Sequence, residues 1–138
     1  MMSTKKWDKG NILLEVILVV AGVIMPVLMG ATTLFEILQI QSELDIATSR
    51  ASRTFVLAES NQEGMNEVKE IMQQFNYSTS KKSQFEIKCS PRECVPGSNV
   101  RIVAQVKVSL IDLPGMPMGQ LEVISSSSST IDAFRVRN

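Results

Sequence analysis

Residues 16–35 read VILVVAGVIMPVLMGATTLF, twenty consecutive positions without a charged side chain. As a helix rising about 1.5 Å per residue, such a stretch matches a hydrocarbon core ~30 Å thick. A cleaved secretory signal has a shorter apolar region ending at a small-residue cleavage site. This one is long and runs on into an amphipathic helical pattern, so it reads as a transmembrane segment rather than as a signal or a buried core helix. Lys5, Lys6 and Lys9 precede it, opposed only by Asp8, and no comparable basic cluster follows. The positive-inside rule therefore places the amino terminus in the cytoplasm and the bulk of the chain outside the membrane, in a single pass.

Two features interrupt the apolar run. Pro26 lacks an amide donor and its ring crowds the carbonyl one turn earlier, which predicts a kink or a local opening of the helix. Gly22, Gly30 and Ala31 are small enough to form a notch against which another helix packs. Beyond the run, Ile37, Ile40, Leu44, Ala47, Ala51, Phe55 and Ala58 recur at spacings of three or four, with Gln41, Glu43, Asp45, Ser49, Arg50 and Arg53 on the other faces. An unbroken helix over residues 11–58 is about 70 Å long, with one half in lipid and an apolar stripe on the other half to pack on the chain's own sheet. Ser60 and Glu63 have capping-box spacing for a second helix through residue 75, with Met65, Val68, Ile71, Met72 and Phe75 as its buried face. Residues 76–83 read as a loop.

After Ser83 the apolar period changes from helical to two. Phe85, Ile87 and Cys89 alternate with polar neighbours, as do Val100, Ile102, Ala104, Val106 and Val108, then Leu121 and Val123. Ile131, Ala133 and Arg135 form a weaker pattern of the same kind. Pro114, Gly115, Pro117 and Gly119 punctuate the connection before the last strands, and the serine run 125–129 reads as a loop or an exposed strand edge. The expected fold class is α+β: a long amino-terminal transmembrane and amphipathic helix, a second short helix, and three or four antiparallel strands. The expected organisation is a basic leader at 1–10, the long helix at 11–58 and an extracytoplasmic domain at 59–138.

Several function classes are excluded by composition. The chain has 138 residues, enough for one modest core, and its 14 Lys+Arg balance 14 Asp+Glu, which removes the charge argument for a nucleic-acid partner. There is no histidine, so the commonest general base is missing, and no phosphate loop, nucleophile elbow or metal-spaced cluster occurs. An enzyme is not expected, nor is a cofactor or a metal. Cys89 and Cys94 are the two cysteines. Outside the membrane the compartment favours oxidation, and the Pro-containing turn between them brings their Cα atoms within disulfide range. Zinc is the rival and would need two carboxylates to complete a four-ligand site.

The most specific pattern lies at the start of the apolar helix, where Gly10 is followed by Asn11-Ile12-Leu13-Leu14-Glu15. A carboxylate at the head of a membrane helix costs several kcal/mol unless it is paired. This arrangement resembles the class III signal of type IV pilins and pseudopilins, in which a prepilin peptidase cuts after the glycine on the cytoplasmic side. The resemblance implies Gly10 as the last leader residue, Asn11 as the mature amino terminus and Glu15 as the fifth mature residue. Within that superfamily the first 58 residues resemble TadE-like pseudopilins of the tight-adherence (Tad, or Flp) pilus system, through Gly10, Glu15-Val16, the long apolar helix and the segment LDIATSRASR at 44–53. Pro26 lies eleven residues after Glu15 where the family has a proline at about six, and Thr48, Ser49 and Ser52 replace some of its alanines. The resemblance implies a minor pilin-like subunit in the inner membrane or the fibre. Its implied partners are other pilin-like subunits through the amino-terminal helix, the prepilin peptidase, an inner-membrane assembly platform and membrane lipid. Two alternatives stay open: a single-pass anchor carrying an extracytoplasmic binding domain, and a pseudopilin of a type II secretion or competence system.

Overall fold

The apolar stretch is helical throughout in the computed structural model, which describes residues 8–91, 93–110, 112–113, 116–117 and 119–134. Helix α1 (Asp8–Val19) passes into a π-helical turn (Val20–Ile24), and α2 (Met25–Leu57) follows. In the π turn the Met25 N–H donates to the Val20 carbonyl, five residues back instead of four. Pro26 explains its position: it supplies no N–H to the Gly22 carbonyl and its ring needs room there, and a widened turn just ahead provides it. The local opening expected from Pro26 is therefore a π turn. The chain falls into two compact units, Met1–Glu36 and Ile37–Asn138.

In the second unit the amphipathic part of α2 buries Ile40, Leu44, Ala47, Ala51 and Phe55, the stripe read from the sequence. Helix α3 (Asn61–Thr79) starts at Ser60, whose Oγ accepts from the Glu63 N–H at 3.2 Å, while Glu63 Oε2 accepts from the Glu59 N–H at 3.0 Å. The capping box thus holds the turn between the helices, its return bond reaching one residue further back than the usual pattern. Two expectations for α3 change. Met65 is 37% exposed and Gly64 is buried in its place, because a Cβ at 64 would lie 2.9 Å from Phe55 Cδ2 and 3.2 Å from the Phe55 carbonyl oxygen. Only glycine lets the two helices approach so closely. The helix also runs on through Thr79, so the first half of the expected loop at 76–83 is helical; Ser80 ends it in the left-handed region at φ 54°, and Asn76 Oδ1 accepts the Ser83 N–H at 2.8 Å to start the sheet.

Three strands form an antiparallel sheet in the order β1 (Ser83–Ser90), β2 (Asn99–Ser109), β5 (Gln120–Thr130). A two-stranded hairpin, β3 (Asp112–Leu113) and β4 (Met116–Pro117), occupies the Pro/Gly connection between β2 and β5. The central strand β2 turns Val100, Ile102, Ala104, Val106 and Val108 into the core and leaves its other face to solvent. Alternation of that kind marks a sheet covered on one side only. The core joins these residues to the α2 stripe, to Val68, Met72 and Phe75 of α3, and to Val123 and Ile131, with Phe85, Ile87 and both cysteines packed at its margin. The expected tail strand does not form at Ile131 and Ala133: β5 stops at Thr130, and Ile131 drops into the core with its N–H bonded to the Ser98 carbonyl at 2.9 Å. Arg135 and the residues after it lie outside the described residues.

Candidate functional site

At the head of α1, Gly10 is helical, and Asn11 and Glu15 lie one turn apart with exposed side chains. A helical rise of about 6 Å separates them. Every residue from Asn11 to Thr32 is exposed among the described residues of its own unit. Leu18 is 70% exposed, Leu28 59% and Phe35 71%, and a Cβ at Gly22 or Gly30 would meet nothing within 4 Å. A continuous apolar surface of this kind is not left in water. Each Val, Leu or Ile moved from water into an apolar surrounding contributes about 1.5–3 kcal/mol. The helix Asn11–Leu57 is long and apolar enough to span a membrane, and a single-pass anchor is the arrangement it fits.

The structure brings together a second group of residues whose pairing the sequence left open. On α2, Thr48 and Ser52 are one turn apart on the apolar stripe, and on β5, Ser125, Ser127 and Ser129 share the face turned toward it. Thr48 Oγ1 and Ser125 Oγ are 2.9 Å apart, Ser52 Oγ and Ser127 Oγ 3.0 Å, and Ser129 Oγ donates to Ser52 Oγ at 3.1 Å. Thr48 also donates to the Leu44 carbonyl and Ser52 to the Ser49 carbonyl. The helix hydroxyls therefore spend their protons on their own backbone and accept from the strand serines. Thr48, Ser52 and Ser125 are buried, so the seam is a satisfied polar strip inside the helix–sheet interface. Its signal in the sequence lay on the helix alone, where Thr48 and Ser52 stand four residues apart on the apolar stripe; the five consecutive serines show no spacing that would pair with it.

Cys89 and Cys94 form the disulfide that their spacing suggested, with Cα atoms 5.2 Å apart. It ties the last core-facing residue of β1 to the loop leading into β2. Between α2 and α3 lies an open groove floored by Ile46, Ala47, Ile71 and Phe75 and edged by Glu43 and Arg50. Among the described residues, no group of three or more histidines, cysteines or carboxylates is placed to hold a metal ion. Compared with protein-family models, with curated proteins and with solved structures, the chain matches none.

Proposed function

We propose that the chain is a minor pilin-like subunit, a pseudopilin of the tight-adherence type. In this role its amino terminus lies in the cytoplasm, its α+β unit lies outside, and its apolar helix packs with the helices of other pilin-like subunits. The observation that carries this is the head of the helix: a glycine and, five residues on, an exposed carboxylate open an apolar helix whose side chains from Asn11 to Thr32 are all exposed in their own unit. Cleavage after Gly10 would remove the leader and expose the α-amine of Asn11, a cation at neutral pH. That amine and the Glu15 carboxylate then form a complementary pair one turn apart. Within a chain or between neighbouring chains, each offsets the desolvation of the other and sets axial register. A subunit of this shape leaves the bilayer only when related helices replace lipid around it, under the action of a separate motor and membrane platform. The folded unit of roughly 100 residues supports a minor rather than a major subunit, since major subunits of that system are short and nearly all helix.

The test is the mass of the amino-terminal peptide from cells that contain the cognate prepilin peptidase. Asn11 is the expected first residue, and Gly10→Ala is expected to retain the ten-residue leader. A mature protein still beginning at Met1 or Met2 would remove the pilin-like reading and leave a plain membrane anchor with an extracytoplasmic binding unit.

A further inference from the structure

The three-stranded sheet ends on two edges that differ in kind. Along β5 and just past it, residues 123–131 are uncharged and contain neither proline nor glycine, and the register with β2 is unbroken from Gln120 to Thr130. Among the described residues nothing hydrogen-bonds to the backbone on the side of β5 away from β2. Edges that stay free are ordinarily guarded by charges, proline or a bulge; between Glu122 and Asp132 at its two ends, this one has none of them. The β1 edge carries exposed Glu86 and Lys88, ion-paired at 3.1 Å; beyond the Ser83 N–H its outward backbone is also without a partner among the described residues.

We propose that the β5 edge receives the β1 edge of a second copy of this chain, so that the sheet continues from molecule to molecule. Both strands run antiparallel to β2 and hence parallel to each other, and a parallel ladder joins them. The registers give the level: Glu86 lies opposite Val103 and Val103 opposite Ser126, while Lys88 lies opposite Arg101 and Arg101 opposite Ser128. When one sheet extends the next without a shift, Ser126 and Ser128 stand beside Glu86 and Lys88 of the following copy, a hydroxyl for each charge. Lys82, one residue ahead of β1, falls beside Glu122, which pairs with Lys107 in its own sheet. The symmetric alternative, β5 on β5 with serine opposite serine about Ser127, sets Glu122 against Asp132 at both ends, a like-charge clash. Because the contact joins two different edges, every addition leaves one of each free and the contact repeats. It involves only Ile37–Asn138 and holds whether or not Gly10 is a processing site.

The experiment uses the full chain in phosphatidylcholine vesicles at high protein density, half of it labelled with nitrogen-15. A zero-length carbodiimide joins carboxylates to amines in contact, and the carbodiimide takes up the water lost as the amide forms. The expected product is a cross-linked peptide joining Glu122 to Lys82, with one light and one heavy half. Ser128→Lys sets a cation beside Lys88 of the next copy and lowers that product about five-fold, whereas Ser128→Glu keeps or raises it. Slow amide exchange along the stripe from Ile40 to Phe55 shows that both variants retain the fold. No mixed Glu122–Lys82 product from the unmodified chain, equal yields from the two variants, or a mixed light–heavy product joining Glu122 to a lysine other than Lys82 would each overturn the proposal; a Glu122–Lys107 link within one chain is expected from the register and does not count. The amino-terminal peptide, read separately from cells containing the peptidase, reports the processing at Gly10, so failure of one is not failure of the other.

Discussion

Glu15 and Thr48 illustrate how differently two polar side chains on one run of helix behave. Glu15 is exposed at the head of the apolar segment, and in the proposed pilin-like role its partner lies outside the fold. If that proposal holds, Glu15→Ala is cleaved after Gly10 yet fails in assembly, because removing the anion would strand the amine it is proposed to pair with, and Glu15→Asp, with the charge on a shorter arm, assembles to an intermediate degree. Comparing the processed fraction with the fraction recovered in sheared fibres checks this. Thr48 is 1% exposed and has its partners inside the fold. Thr48→Val keeps the shape but leaves the buried Ser125 hydroxyl without its acceptor, which costs about 1–3 kcal/mol. Adding Ser125→Ala removes the stranded group and should recover most of that loss. Denaturant unfolding of the two single variants and the double one measures it, and strictly additive losses would show that the two hydroxyls do not act as a pair.

Elements meet here through small residues as much as through large ones. The turn from α2 to α3 is closed by Gly64 against Phe55 and Ala58. Alanine is the better helix former by about 1 kcal/mol, yet Gly64→Ala is expected to lower stability by roughly 1–3 kcal/mol, since the Phe55 carbonyl cannot give way as a flexible side chain would. A rise in the unfolding midpoint on that substitution would mean that α3 shifts freely along α2. At the other end of the sheet, the disulfide closes a short loop between β1 and β2. Replacing both cysteines by serine should cost about 2–3 kcal/mol by the chain-entropy relation. Thiol alkylation followed by intact mass shows whether the loop is closed, and the unfolding free energy of the replaced chain gives its worth.

For the whole molecule, the second unit has its own core, drawn from α2, α3 and the sheet. A fragment beginning at Gln39 is therefore expected to be soluble and folded, with slow amide exchange along the stripe from Ile40 to Phe55. Exchange there as fast as in an unfolded peptide would show that the helix does not pack on the sheet without the apolar segment. The membrane-length helix, the stripe on α2, the capping box at Ser60 and the alternation along β2 were all legible in the sequence, because each depends on spacing within one segment. The disulfide was legible too, since five residues of separation leave little freedom. Residues 125–129 were not. Five identical side chains carry no period, and whether they form a loop or a strand depends on Thr48 and Ser52, 77 and 75 residues away from their partners Ser125 and Ser127. The buried place of Gly64, the exposure of Met65 and the end of β5 at Thr130 were likewise decided by what packs against them. Periodicity within a segment determines which face of an element is apolar; which small or polar residues that face can bury is determined only when a second element, distant in the chain, supplies the shape and the hydrogen-bond partner.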